Sequence, residues 1–446
     1  MLRLFATLSI ALILALPCAA DSVDTIRAEW SELSTTSGER LYVVPDVYTR
    51  RARFTARETK ATAKDFFMLA KRAARLGEVA LAIRLATEAV HHDPDCEPAR
   101  RALGYELHEG EWLTPYQLRK ANRGLAWNLN YGWIAPDDLP RYEAGERKVR
   151  GRWVTAEVDA RRHANIREGW QVRTDHFNVT TNHSLRAGAE LAAKLEQLYQ
   201  VWRQLCGDFH IEDDDLRTRF DEDRVGSSRH AGIRSRPFQV VYHRSQAEYN
   251  AALEVRQPRI AETIGIYFDR QREAHFFHPG EVAAATGTND ATLYHEAVHQ
   301  LFYESQRAIR DPGERDNFWA IEGVATWFES LQWRDDHFTI GERDAGRLPA
   351  AKQRLLVEGY RVPLVELVTL GKHDLQARDD LSPLYSQSAG LATFMMATPE
   401  RRGAFVEYLR QIYAGSAESI TLAELTGKSY AQLDVDYRAY LESLPE

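Results

Sequence analysis

The chain has 446 residues, of which 44% are hydrophobic and 27% are charged, and its net charge at pH 7 is -8. This length favours more than one domain, and this composition excludes a disordered chain. The negative balance gives no general reason to expect binding to nucleic acid or to an anionic membrane surface. We therefore expect a soluble globular protein without a nucleic-acid partner.

The first 20 residues, MLRLFATLSIALILALPCAA, have the layout of a secretory signal peptide. Arg3 precedes an apolar run and small residues lead up to Ala20, which predicts cleavage near Ala20. An uncleaved anchor is the alternative, because the apolar run approaches the length that spans a bilayer. No later segment is comparably apolar, so the mature protein is predicted to be exported, periplasmic or extracellular, without a stable membrane span.

Removal of residues 1–20 would leave two cysteines, Cys96 and Cys206. An export compartment permits a disulfide between them. The sequence does not show their distance, so their pairing stays open at this point.

Residues 21–109 are predicted to form a helical region. Between residues 63 and 96 the apolar pattern predicts two amphipathic helices that break at Gly77 and end at Pro94. This pair resembles a single tetratricopeptide repeat, with half of another in EPARRALGYE. Since such repeats need about three neighbours for stability, these helices are predicted to lean on another part of the chain. Binding of a protein partner by this region is the functional alternative.

Residues 110–168 contain three similar segments, EGEWLTPYQ, NYGWIAPDD and RGRWVTAEV. Their tryptophans, Trp112, Trp133 and Trp153, are spaced by 21 and 20 residues. This spacing predicts repeated small units that each bury one tryptophan. An aromatic platform that binds carbohydrate is the alternative.

Residues 169–446 are predicted to form an α+β domain. Strands and a long helix alternate at first, including a helix that begins after Ser245, and the pattern after Thr286 is nearly all helical. A sheet followed by a helical half is an α+β arrangement. The polar stretch from Asp208 to Arg236 is predicted to be a surface loop.

The segment YHEAVHQLFYE, residues 294–304, places two histidines four positions apart. On a helix, His295 and His299 lie on one face, so both imidazoles can bind one ion. Glu296 lies beside this face, where a carboxylate can take the proton of a metal-activated water. A chance match in a chain with 15 histidines has a probability of roughly 0.03. The flanking residues favour a helix, with Asn289 or Asp290 as N-cap and an apolar stripe of Leu293, Ala297 and Leu301.

A third ligand is needed, because catalytic zinc normally has three protein ligands and an open position. In NFWAIEGVATWFES, Glu322 lies among apolar residues of a helix that begins after Asp316 or Asn317. Burying a carboxylate there is costly unless it is paired or bound to a metal. Gly323 weakens a helix, which indicates close approach of another backbone. Glu329 falls on nearly the same face and can orient a ligand histidine.

HEAVH followed by WAIEGVATWFE resembles the two motifs of the gluzincin metallopeptidases. The resemblance implies that His295, His299 and Glu322 bind Zn²⁺, that Glu296 is the general base, and that Glu329 supports the ligands. It also implies a gluzincin-like catalytic domain and a peptide or protein substrate. Residues from about 170 to 446 are similar to a family of exported bacterial proteins with a peptidase-MA-like domain, through LYSQSAGLATFMM, FVEYLRQIYAG and LDVDYRAYL.

Gluzincins commonly use a Tyr or His to stabilise the oxyanion that forms during hydrolysis. Tyr385, in PLYSQS, is the candidate here, and a tyrosine that merely anchors a helix is the alternative. His275, His278 and His373 are lesser candidates. The resemblance also implies that the strand EAHFF is an edge that pairs with an extended substrate.

Two functions follow from these patterns. The first is an exported zinc-dependent peptidase in which Glu296 acts as general base on a metal-activated water. The second is a non-catalytic binding or scaffold protein with a helical repeat and a vestigial or structural zinc site. A purely structural site has no need of a base, so Glu296 favours the first.

Overall fold

The structure of the protein is a computed structural model that describes residues 22–33, 40–49, 60–209, 218–220, 236–280, 290–306, 308–416 and 420–444. The predicted signal peptide and most of the predicted loop between Asp208 and Arg236 lie outside these residues. No helix within the described ranges is long and apolar enough to cross a bilayer.

The described residues before Leu103 form four helices and one short strand, and the predicted helix pair around Gly77 is confirmed. Gly77 separates the two helices with a φ of 80°, which glycine adopts readily. The second helix of the pair packs both on the next short helix, α4 (Glu97–Ala102), and on a long helix of the C-terminal region. The elements are α1 (Val23–Leu33), β1 (Leu41–Tyr42), α2 (Lys60–Arg75), α3 (Val79–His92) and α4 (Glu97–Ala102).

Three hairpins follow, and each leads into a short helix, so the predicted repetition is confirmed. Their elements are β2 (Glu106–His108), β3 (Glu111–Leu113) and α5 (Pro115–Ala121); β4 (Ala126–Asn128), β5 (Gly132–Ile134) and α6 (Leu139–Glu143); β6 (Glu146–Val149), β7 (Arg152–Thr155) and α7 (Ala156–Arg162).

The prediction that each unit buries one tryptophan is wrong for two of the three. Trp112 is buried, but Trp133 and Trp153 keep part of their surface exposed. The repeats are short two-stranded units without a common core, so cationic side chains cover the rings instead. The guanidinium of Arg141 lies 4.1 Å from the ring centre of Trp153, and the amine of Lys120 lies 5.9 Å from that of Trp133.

A mixed sheet carries the next part of the chain. Within the described residues its strand order is β11-β12-β10-β9-β8, with β9, β10 and β12 parallel and the two outer strands antiparallel to their neighbours. The elements are β8 (Trp170–Arg173), β9 (Phe177–Thr181), α8 (Leu185–Cys206), β10 (Phe238–His243), α9 (Gln246–Leu253), β11 (Gly265–Phe268) and β12 (Glu273–Phe277). Ser245 caps α9, as predicted, by accepting a hydrogen bond from the amide of Glu248.

The prediction that EAHFF forms the sheet edge is wrong. This strand is β12, and it pairs with β10 on one side and β11 on the other. The edge strand is β11. The charged turn after Phe268 connects it to β12, and the two strands pair antiparallel. The edge strand therefore precedes EAHFF in the chain.

The remaining chain is largely helical, as predicted, but two short strands interrupt it. Its elements are α10 (Asp290–Ser305), α11 (Phe318–Phe328), β13 (Gln332–Trp333), β14 (His337–Thr339), α12 (Leu348–Leu356), α13 (Leu364–Leu367), α14 (Lys372–Gln376), α15 (Leu381–Met396), α16 (Pro399–Ala414), α17 (Leu422–Thr426) and α18 (Tyr430–Ser443). The N-terminal strand β1 pairs with β14. The overall class is thus a mixture of helix and sheet, in agreement with α+β.

Two large hydrophobic clusters organise the interior of the described residues, and a third, small one lies around Tyr249. The larger joins the five-stranded sheet, α8 and the helical half, and the smaller fills the N-terminal helices. Leu41 belongs to the larger cluster and Val44 to the smaller, so this short segment connects the two regions. Cys96 and Cys206 do not form a disulfide bond.

Candidate metal centre

Helix α10 positions the two histidines of HEAVH. The predicted apolar stripe is confirmed, since Leu293, Ala297 and Leu301 are all buried and hold the opposite side of the helix against the core. On the other side the Nε2 atoms of His295 and His299 lie 3.1 Å apart. The helix begins at Asp290, and Asn289 lies outside the described residues.

Helix α11 brings Glu322 to the same point. The Glu322 carboxylate oxygens lie 3.6 Å from Nε2 of His295 and 3.8 Å from Nε2 of His299. One donor atom from each of these three side chains lies within 4.8 Å of the others, so they form a group that can hold a metal ion. The helix begins after Asn317, whose side chain does not cap it but accepts a hydrogen bond from the hydroxyl of Tyr408.

Gly323 allows α11 to reach this position, and the predicted close backbone approach is confirmed. A Cβ atom at this residue would lie 2.7 Å from the carbonyl oxygen of Ser388 in α15 and 3.3 Å from the Cβ of Ala392. The first distance is too short for an alanine unless a helix moves, and the second is tight. The glycine therefore sets how closely the ligand helix packs on α15.

The electrostatics of the three side chains depend strongly on one another. Burial opposes a charge on His295, but contacts with Glu322 and Glu329 raise its pKa to about 10. Burial, with a contribution from His295, lowers the pKa of His299 to about 4. Burial also opposes a charge on Glu322, yet the two histidines hold its pKa at about 2.

These residues fit a divalent metal ion. Two imidazole nitrogens and one carboxylate oxygen are donors that zinc and several other transition metals accept. All three side chains are only 12 to 16% exposed, so an ion held by them would be largely shielded from water. A cation here would also balance the buried carboxylate, which is otherwise costly to bury.

Glu329 and Arg347 stand behind His295. Oε1 of Glu329 lies 2.9 Å from Nδ1 of His295, on the side of the ring away from Nε2. Arg347 in turn contacts both oxygens of Glu329, with Nε at 3.2 Å and a terminal nitrogen at 3.4 Å. The sequence pattern indicated Glu329, but it gave no signal for Arg347, which reaches the site only because the chain returns past β14.

Glu296 lines the cleft beside His295 and is held by the edge strand. Its Oε2 accepts a hydrogen bond of 2.9 Å from the amide of Tyr267 in β11. Gly265 leaves room for this arrangement, because a Cβ atom there would lie 2.8 Å from Phe276 and 3.2 Å from Cγ of Glu296. Burial, together with the charge of Glu322, raises the pKa of Glu296. The interaction with Tyr267 could not be found from the motif, because it depends on strand pairing.

Tyr385 reaches the metal cluster from α15. It lines the same cleft as Glu322 and Gln376, and burial with the charge of Glu322 raises the pKa of its phenol well above the usual value. The lesser candidates do not line the cleft. His275 lies 3.3 Å from His243 in the sheet, His278 stacks on His183, and His373 is exposed on α14.

The cluster opens into a cleft of about 650 Å³. Residues of the edge strand β11 and of the helices α10, α11, α14 and α15 line this cleft. Lys372 also lines the cleft and acts electrostatically on Glu322.

Comparison with known proteins identifies no relative: the chain matches no family model, and no curated protein gives a significant match.

Proposed function

We propose that this protein is a zinc-dependent peptidase of the gluzincin type. The observation that carries the proposal is the convergence of His295, His299 and Glu322 on one point, with Glu296 beside them in the same cleft. Three ligands and a nearby carboxylate are the requirements of a hydrolytic zinc site, whereas a structural site normally has four ligands. The mixed sheet followed by a helical half supports the same assignment.

The chain's own side chains have separate roles in this proposal. Bound zinc would supply Lewis-acid activation of water and of the scissile carbonyl. Glu296 takes a proton from the attacking water and returns it to the leaving amine, and the amide of Tyr267 holds its carboxylate in place. The phenol of Tyr385 donates a hydrogen bond to the developing oxyanion. Glu329 fixes the proton of His295 on Nδ1, which leaves Nε2 free to bind the ion.

The substrate in this proposal is an extended peptide. Among the described residues β11 has a strand neighbour on one side only, so a peptide can add to its other side as a further strand, next to Glu296. The apolar segment before Ala20 supports action outside the cytosol, after export.

The test compares the wild type with Glu296→Gln on a broad peptide library, with the zinc content of both measured. The variant should keep its zinc and lose turnover by at least about 100-fold, because only the base is changed. Glu358→Gln, at an exposed position in the same half of the molecule, makes the same change in charge and should behave as wild type. Equal turnover in wild type and Glu296→Gln, or no turnover by a zinc-loaded wild type, would exclude the peptidase function.

A further inference from the structure

Arg347 has a place in the site that the proposed chemistry does not yet use. Its guanidinium approaches both oxygens of Glu329, so the pair is held at two points and not one. The Glu329 side chain is 14% exposed, whereas that of Arg347 is 41% exposed. Arg347 is thus the outer partner of a carboxylate that is itself pressed against His295.

The same guanidinium also lies over Tyr385, with its central carbon 5.7 Å from the ring centre. Tyr385 and Glu329 approach the metal cluster from different helices, and Arg347 contacts both. One side chain therefore links the carboxylate behind His295 with the phenol that faces Glu322.

The backbone holds Arg347 firmly in this position. It directly precedes α12, and its carbonyl oxygen accepts a hydrogen bond from the amide of Ala351. The preceding residue, Gly346, has a φ of 58° and packs against Ser330, which is the neighbour of Glu329. The hydroxyl of Ser330 also accepts a hydrogen bond from the amide of Gly341. The loop that carries Arg347 is thereby fastened to the end of α11.

We propose that Arg347 is a positioning residue that holds Glu329 against His295 and Tyr385 against Glu322. A carboxylate that orients a ligand histidine contributes to metal affinity only while its own orientation is fixed. Removal of Arg347 would leave Glu329 free to turn toward solvent and would remove the guanidinium that lies over Tyr385. This inference rests on the proposed zinc peptidase function, but its first consequence, tighter metal binding, does not require catalysis.

A rival role follows from the exposure of Arg347 in the cleft, where it could bind a carboxylate of the substrate. The two roles predict different measurements. A positioning residue lowers zinc affinity and kcat when it is removed, whereas a substrate-binding residue raises KM and leaves zinc affinity unchanged.

The experiment measures zinc affinity by competition with a chelator for the wild type, Arg347→Ala, Arg347→Lys and Glu329→Gln. Arg347→Ala should weaken zinc binding by about 10- to 100-fold, and Arg347→Lys by less, because a lysine keeps the charge but not the two-point contact. The double variant Arg347→Ala/Glu329→Gln should lose little more than either single variant. Arg343→Ala, in the same loop and paired with Asp344 away from the cleft, should behave as wild type.

Peptide turnover by the same variants completes the test, with a fall in kcat and an unchanged KM expected for Arg347→Ala. Unchanged zinc affinity in Arg347→Ala would overturn the positioning role, and so would additive losses in the double variant. Should Arg347→Ala fail to fold, Arg347→Lys and Glu329→Gln still decide the question. A wild type that binds zinc without turnover would refute the peptidase proposal alone. A wild type that does not bind zinc would refute both the peptidase proposal and the positioning role of Arg347.

Discussion

Among the enclosed charged groups of the described residues, two clusters differ in how their polar atoms are used. In the metal cluster, donor atoms of His295, His299 and Glu322 face one point and lie within 4.8 Å of one another. In the second cluster, Asp46 and Asp175 lie where the N-terminal region meets the first hairpin and the mixed sheet. Each of these two carboxylates receives hydrogen bonds from several separate donors.

Asp175 shows how the second cluster is satisfied internally. Its Oδ2 accepts hydrogen bonds from the hydroxyl of Tyr48 at 2.6 Å and from the side-chain amide of Gln117 at 3.3 Å. Its Oδ1 accepts one from the hydroxyl of Thr114. These donors come from two different parts of the chain, so the cluster ties those parts to the start of the mixed sheet.

Asp46 is used in the same way. Its Oδ1 accepts from the amides of Tyr48 and Thr49, at 2.9 and 3.2 Å, and its Oδ2 accepts from the hydroxyl of Tyr105 at 3.3 Å. The comparison teaches that enclosed carboxylates alone do not indicate a metal site. What distinguishes the metal cluster is that ligand atoms of three side chains converge on one point, whereas the oxygens of Asp46 and Asp175 each accept hydrogen bonds from separate protein donors.

The largest effect is expected from Glu322→Ala, which removes one converging donor. Zinc affinity should fall by at least about 100-fold, because a site with two histidines retains only part of its binding free energy. The metal-free protein should also be less stable, because the charged form of Glu322 is stabilised by the two histidines in the fold and its removal takes a partner from His295. Zinc stoichiometry and affinity, measured with thermal unfolding of the metal-free form, check both expectations.

Unchanged metal content in Glu322→Ala would refute Glu322 as a ligand. The carboxylates of the two clusters would then no longer differ in whether they bind a metal. Asp46→Asn serves as the control from the other cluster. It should bind zinc as tightly as the wild type, because the hydrogen-bond partners of Asp46 are Tyr48, Thr49 and Tyr105 and none of them is a metal ligand.

The metal cluster could be predicted from the sequence because its information is local. His295 and His299 lie one turn apart on one helix, and Glu322 is conspicuous as a carboxylate in an otherwise apolar helix. Gly323 likewise carries a local signal, since a glycine inside a helix needs a packing reason. Together, these four residues occupy only two short segments of the chain.

The parts that could not be predicted depend on tertiary pairing. Arg347 reaches Glu329 only after the chain has passed through β13 and β14. The edge strand was misassigned because β11 and β12 have similar apolar patterns, and only their hydrogen-bonded order distinguishes them. The second cluster gave no signal, because Asp46, Tyr105 and Asp175 are far apart in the chain.

An intermediate effect is expected from Gly323→Ala, which changes the packing behind the metal cluster and leaves every donor in place. The new methyl group would meet the carbonyl oxygen of Ser388 at 2.7 Å, so α11 must shift. We expect a net destabilisation of about 1–2 kcal/mol, since overpacking exceeds the gain in helix propensity. Zinc affinity should fall by less than in Glu322→Ala.

Gly403→Ala is the matched control for this change. Gly403 lies inside α16, and a Cβ atom there has no neighbour within 4 Å among the described residues. It should be neutral or stabilising by up to about 1 kcal/mol. Chemical denaturation of both variants decides the point, and equal stability of the two would mean that α11 and α15 are not tightly packed.

The smallest effect is expected from Asp46→Asn and concerns the pH dependence of stability. Burial, together with the charge of Asp175, raises the pKa of Asp46 to about 7 in the folded protein. A raised pKa means that the folded state binds this proton more tightly than the unfolded state. The resulting stabilisation is therefore complete below the usual pKa of about 4 and is lost as the pH rises through about 7.

Asparagine imitates the neutral acid, since its oxygen can still accept hydrogen bonds from the amides of Tyr48 and Thr49. Between pH 5 and pH 8 the wild type should consequently lose on the order of 1 kcal/mol more stability than Asp46→Asn, as measured by denaturation at each pH. Parallel pH profiles for the two proteins would show that Asp46 is charged in the fold, and the second cluster would then resemble the metal cluster in holding an ionised carboxylate.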